Sequence, residues 1–216
     1  MEINLQHIED NIQSLELLGK GSNGMAFRIE INGIDFVLKL TSSENEYKIA
    51  LSLKKYQKQR SNILKISSEI VKAGKFTRYK LFIGKLKNLI KNKIKNVDID
   101  KLPYKYFILT EYLKVDNKIK KYSETKLYGK LFKNCINNHI TISELLNYDN
   151  KQLKTFFENN YDKTDKISDF NLVINILRLH KLIGANDYHS GNIGLDINGN
   201  IKAFDFDLVW NRKFKL

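Results

Sequence analysis

Proline, cysteine and tryptophan occur once each in this 216-residue sequence, and glycine only 11 times. So few chain breakers leave no Pro/Gly-rich linker, which excludes flexibly tethered modules and leads us to expect one domain over 1–216. The single cysteine, Cys135, cannot close an internal disulfide. A reducing, cytoplasmic setting is therefore expected, and a disulfide-stapled secreted scaffold is not. No apolar run reaches membrane-spanning length, and the segment MEINLQHIEDNIQSLELL carries acids early; neither a membrane span nor a signal peptide is expected. Acids are scarce beside bases, 24 against 37, giving a net charge of +13. That excess raises the question of an RNA or membrane-surface adaptor. Lysine, asparagine and isoleucine are abundant throughout, however, and neither a helix-turn-helix nor an aromatic-rich single-strand module accompanies the charge. We read the charge as compositional, with nucleic acid not expected as a partner.

What the chain does contain is ordered. Leu15 to Gly19 reads as a strand entering a glycine-rich turn, and Met25 to Ile31 as a strand leaving it. Asn32-Gly33 signals a two-residue hairpin before Phe36 to Leu40. Ser43, with Glu46 three residues on, has capping-box spacing and opens a helix through about Gln59. Ile63 to Val71 and Phe76 to Ile83 suggest a second hairpin turning at Ala73-Gly74, and KYFILT, Lys105 to Thr110, a further strand. KLKNLIKNKIKN, carrying Lys85, Lys87, Lys91, Lys93 and Lys95, reads as a solvated, partly helical insertion that could dock an acidic partner. Helical patterns follow around Leu127 to Ile136, from Ser143, and over Ser168 to Ile183. The class is α+β: a strand-rich part (1–110), a short connection (111–113) and a helical part (114–216) that ends in two strands, with a cleft expected between the two.

The most informative stretch is NDYHSGNIGLDINGNIKAFDFD, Asn186 to Asp207. A two-residue type I′ turn at Asn198-Gly199 would set Asn192 opposite Asp205, with Cβ atoms about 5 Å apart. An amide oxygen and a carboxylate held so suit magnesium, which takes oxygen ligands. Asp187, five residues before Asn192, would sit in a loop beside that pair, where a carboxylate can accept a hydroxyl proton.

This segment resembles the catalytic loop and metal-binding hairpin of the protein-kinase-like superfamily, which reads Asp-x-x-x-x-Asn and then Asp-Phe-Gly. The thirteen residues from Asn192 to Asp205 match that pattern. The resemblance implies a two-lobed kinase-like fold with an antiparallel-sheet N-lobe and a reduced helical C-lobe, and ATP and Mg2+ as cofactors. It makes Asp187 the catalytic base and Asn192 and Asp205 the magnesium ligands. LGKGSNGMAF resembles the family's glycine-rich loop, with Gly19, Gly21 and Gly24 in the glycine positions and Ser22 and Asn23 between them. Strands on both sides disfavour a dinucleotide fold, which uses such glycines before a helix. Lys39 stands where the family keeps its phosphate-binding lysine, and Glu46, or failing it Glu44, is the candidate partner. ILTEYL resembles the hinge, with Thr110 at the back of the adenine pocket and Glu111 and Leu113 offering it backbone groups.

The chain departs from the family in three places. Ala185-Asn186 precede Asp187 where His-Arg is usual, and Asp207 replaces the last glycine of Asp-Phe-Gly. The sequence also ends at Leu216, nine residues after Asp207, so the activation segment and the later helices are expected to be missing. His189, two residues after Asp187, resembles the Asp-x-His of aminoglycoside- and choline-kinase-type enzymes. The expectation is an ATP-dependent kinase acting on serine or threonine of a protein. A small-molecule kinase and an inactive nucleotide-binding module acting through a partner are the alternatives.

Overall fold

The structure is a computed structural model and describes residues 8, 10–21, 23–65, 67–76, 85–93, 104–115, 129–161, 167–183 and 193–204. The fold is α+β. The chain divides into two compact units, one comprising Met1–Ser61 and Ser68–Tyr112, the other Asn62–Ser67 and Leu113–Leu216.

The first unit is built on a five-stranded antiparallel sheet of β1 (Ile12–Lys20), β2 (Gly24–Ile31), β3 (Ile34–Thr41), β4 (Ile70–Lys75) and β5 (Tyr106–Glu111), in the order β1-β2-β3-β5-β4. Asn32 and Gly33 both take positive φ, 53° and 76°, and Ile31 pairs directly with Ile34. This is the type I′ turn that an Asn-Gly pair favours. One face of the sheet carries Met25, Phe27, Ile29, Leu38, Leu40, Phe107 and Leu109, all buried with Ile8, Ile12 and Leu15. Helix α1 (Glu44–Gln59) begins at the N-cap Ser43, whose hydroxyl accepts from the Glu46 N–H at 3.2 Å. Its buried residues Ile49, Ala50 and Leu53 form an apolar stripe. Buried Gln57 fastens its far end to the approach to β4, donating to the Ser68 carbonyl and accepting from the Ile70 N–H.

Two expectations for this unit are corrected. Ala73-Gly74 is not a turn: β4 runs straight through it, pairing Ala73 with Ile108 and Gly74 with Phe107. Glycine serves packing there, because a Cβ on Gly74 would lie 2.6 Å from the Phe107 ring. The second strand foreseen for that hairpin, beyond Phe76, lies largely outside the described residues. The lysine-rich segment is helical as α3 (Lys85–Lys93) after the short α2 (Ser61–Leu64), but it is not simply solvated. Ile90 is fully buried in the sheet's core with Leu89 packed beside it, because an apolar pair on an amphipathic helix finds cover there.

The second unit holds α4 (Gly129–Asn137), α5 (Ile142–Asn147), α6 (Asn150–Asn160), α7 (Ile167–Ile183) and the hairpin β6 (Ile193–Leu195) and β7 (Ile201–Ala203). Capping boxes start α5 at Thr141/Glu144 and α6 at Asp149/Gln152. The second of these separates two helices where the sequence reading had one pattern from Ser143. Buried Phe170, Val173, Ile174, Ile176, Leu177 and Leu179 cover more than one side of α7, the mark of a central helix. Arg178, its guanidinium pKa lowered by burial, donates to the carbonyls of Leu146 and Tyr148 at the end of α5. Among the described residues no helix is long and apolar enough to cross a membrane.

Candidate functional site

The sheet's other face carries the sequence-predicted Lys39. Directly opposed residues of an antiparallel pair share a face, so the register lays Ala26, Lys39, Ile108 and Ala73 in one row across β2, β3, β5 and β4. The adjacent row holds Arg28, Val37 and Thr110. Within its own row Lys39 is the charged member, flanked by Ala26, Ile108 and Ala73, with the Arg28 cation in the next row. Its Nζ lies 3.1 Å from Glu46 Oε2, and the two side chains are 21% and 4% exposed. The structure therefore brings together the sequence-predicted Lys39 and Glu46. Glu44, the other candidate, points elsewhere and pairs with Lys48 at 3.1 Å on the surface.

Glu46 reaches Lys39 because α1 starts so soon after β3. Thr41 ends the strand, Ser43 caps the helix, and Glu46 is its third residue. The Ser43 half of the capping box is made, while its own N–H is bonded to Thr41 Oγ1 at 3.0 Å.

The glycine-rich turn joins β1 to β2 next to this point. The Gly21 N–H donates to the Gly24 carbonyl at 2.9 Å and closes the turn. The Asn23 carbonyl accepts from the Ser42 N–H at 2.8 Å, the Ser42 hydroxyl at 3.1 Å and the Thr41 hydroxyl at 3.2 Å. Gly24 is required by packing, since a Cβ would sit 2.1 Å from the Leu40 carbonyl oxygen. Gly19 and Gly21 differ: neither has a positive φ, and an added Cβ would meet no described atom within 4 Å. The fold itself makes no demand for glycine at these two positions.

In the segment ILTEYL, Glu111 exchanges bonds with Glu69: its N–H donates to the Glu69 carbonyl and its carboxylate accepts the Glu69 N–H. Tyr112 lies under the Arg28 guanidinium, 4.7 Å from the ring centroid, while Arg28 also bonds Asp35 at 2.6 Å. The hydrogen bond to Asp35, chiefly, raises the arginine's pKa. Leu113, in the second unit, is buried and so close to Gly194 that a Cβ there would lie 2.5 Å from its own. Sequence reading missed Thr41, Ser42, Arg28 and Tyr112. Only the Thr-Ser-Ser run after a strand hinted at the first two.

The hairpin of the second unit corrects the register argument for the metal pair. Its observed partners are Ile193 with Ala203, Gly194 with Lys202 and Leu195 with Ile201, one residue off the two-residue turn that sets Asn192 opposite Asp205. Of the turn residues Asn198 and Gly199, only Gly199 has positive φ, 78°. The Gly199 N–H bonds the Asp196 carbonyl and the Asp196 N–H the Asn200 carbonyl, leaving a three-residue loop. Asp196 imposes this. Its carboxylate accepts the N–H groups of Asn198 and Asn200 and the Asn200 amide, and lies 3.3 Å from Lys202 Nζ. Burial works to raise its pKa, but the bonds from Asn200 and Lys202 outweigh that and hold it below the ordinary value. Ser22, Asp187, His189, Asn192 and Asp205 lie outside the described residues. Among the described residues no group of three or more His, Cys, Asp or Glu side chains is placed to hold a metal ion. Comparison of the sequence with protein-family models and with curated proteins finds no match in either.

Proposed function

We propose that this chain is an ATP- and magnesium-dependent phosphotransferase with a two-lobed, protein-kinase-like fold. The observation that carries the reading is the Lys39–Glu46 pair at 3.1 Å, in a sheet row whose other members are Ala26, Ile108 and Ala73, beside a glycine turn. A buried carboxylate holds the ammonium in place, and a fixed cation is what a phosphate-binding site needs. Ala26 and Val37, both partly exposed, offer apolar surface to a flat base, and by the resemblance Glu111 and Leu113 would offer it backbone groups. Gly19 and Gly21, free of packing demands, support close approach of phosphate to backbone. Magnesium, when bound, would neutralise charge on the phosphates; by the sequence pattern Asn192 and Asp205 would hold it. Asp187 would accept the proton of the acceptor hydroxyl. The acceptor we propose is serine or threonine of a protein, in the cytoplasm. The Asp187-x-His189 pattern favours a small-molecule acceptor as the second reading.

The test is thermal unfolding with ATP, with and without magnesium. ATP at about 100 times its dissociation constant stabilises by about 2.7 kcal/mol, which in a chain of this size raises Tm by roughly 5–11 °C. Lys39→Ala is expected to shrink the shift, and Asp187→Ala to keep it while lowering turnover by orders of magnitude. No shift at millimolar ATP in the unaltered protein overturns the reading. Labelled ATP with a cell lysate then separates the acceptors: label on phosphoserine or phosphothreonine supports a protein, and transfer only to added metabolites the second reading.

A further inference from the structure

Thr41 is fully buried at the end of β3, two residues beyond Lys39 and on the same face of the sheet. Its hydroxyl donates to the Asn23 carbonyl in the glycine turn at 3.2 Å and accepts the Ser43 N–H at 3.0 Å. Ser43 in turn caps α1 through the Glu46 N–H at 3.2 Å, and Glu46 holds Lys39 at 3.1 Å. One hydroxyl thus touches both the turn that would face phosphate and the helix start that sets the lysine's partner. Donor and acceptor capacity are both used, and at 0% exposure water cannot replace either bond.

We propose that Thr41 is a positioning residue, one that locks the glycine turn and the Lys39–Glu46 pair into a single piece so that backbone and cation meet a nucleotide's phosphates together. This rests on the nucleotide reading above for its ligand, but not for the clamp itself. Capping alone does not account for the arrangement. Ser43 satisfies the helix start through its own hydroxyl, and Ser42 supplies the turn with two donors without touching the cap. Thr41 joins the two sets of bonds.

Thr41→Val keeps the shape and removes the hydroxyl; Thr41→Ser restores it. Dissociation constants for magnesium ATP are measured by calorimetry well below each variant's Tm, and amide hydrogen exchange of Gly21 is followed in nucleotide-free protein. The Gly21 N–H bonds Gly24, not Thr41, so its exchange reports the turn. Thr41→Val is expected to weaken binding about tenfold, equal to about 1.4 kcal/mol, and to speed Gly21 exchange; Thr41→Ser stays within about twofold in both. A threonine that only stabilises the fold would lower Tm and leave the affinity of the folded protein and Gly21 exchange unchanged, and that result overturns the proposal. Should the unaltered protein bind no ATP, the nucleotide reading fails, and Gly21 exchange alone decides whether the clamp exists. If Thr41→Val does not fold, Thr41→Ala, which also removes the hydroxyl but adds no methyl beside the Asn23 carbonyl, is expected to speed Gly21 exchange relative to Thr41→Ser; equal exchange in the two overturns the clamp.

Discussion

Replacing Gly24 by alanine tests whether the glycines of the turn serve two different purposes. A Cβ at this position would lie 2.1 Å from the Leu40 carbonyl oxygen, 3.1 Å from its carbon and 3.2 Å from Thr41 Cα. All three are backbone atoms, so no rotamer change gives relief. Carbon–oxygen contacts become comfortable near ~3.3 Å, so β2 and β3 must part by roughly 1 Å where Gly24 pairs with Thr41. Overpacking of this kind costs about 1–3 kcal/mol. Loss of an adjoining bond such as Ser42 N–H to the Asn23 carbonyl adds about 1 kcal/mol. A total of about 2–4 kcal/mol lowers Tm by roughly 4–16 °C in a chain of this length. Gly19→Ala and Gly21→Ala meet nothing within 4 Å and need no positive φ. They are expected to unfold at or slightly above the original temperature, since alanine restricts the unfolded chain by about 0.4–1 kcal/mol. On the nucleotide reading these two lose the extra stabilisation by magnesium ATP, because the new methyl stands where phosphate approaches. Thermal unfolding followed by circular dichroism, with and without ATP, separates the cases. Gly24→Ala within 1 °C of the unaltered protein (roughly half a kcal/mol or less), or Gly19→Ala falling as far as Gly24→Ala, would refute the reasoning.

Two further outcomes follow from the packing and the charges. Ile90→Ala removes a fully buried side chain and is expected to cost about 2–5 kcal/mol in denaturant unfolding; an unchanged midpoint would return α3 to a solvated insertion. The depressed pKa of Asp196 makes its hairpin bonds pH-dependent. A lowered folded-state pKa means the contribution is fully present above the ordinary aspartate value near ~4 and is lost as pH falls through the folded one. Asp196→Asn should therefore lessen the acid sensitivity of the hairpin amides in hydrogen exchange, and equal sensitivity in both proteins would count against the assignment.

The α+β class, the strands around the glycine turn, the Asn32-Gly33 hairpin and the α1 cap were legible because each is local. Alternation along a strand, two residues that tolerate positive φ, and a serine three residues before a glutamate act over one or two turns of chain. Lys39 was legible as a cation set in an apolar strand, but not which glutamate meets it. That choice follows from where α1 starts and which of its residues faces the sheet, so Glu46 turns inward and Glu44 outward to Lys48. The two misread turns share a cause. Ala73-Gly74 and Asn198-Gly199 both resemble turns in isolation, yet the Phe107 ring makes the first glycine a packing residue in a strand. The Asp196 carboxylate, drawing in Asn198, Asn200 and Lys202, lengthens the second turn by one residue and shifts the register. The bonds from Thr41 and Ser42 to Asn23 span 18 and 19 residues. Sequence patterns report how a residue treats its near neighbours; contacts across such distances exist only once β2 and β3 have paired, and the tertiary structure alone decides them.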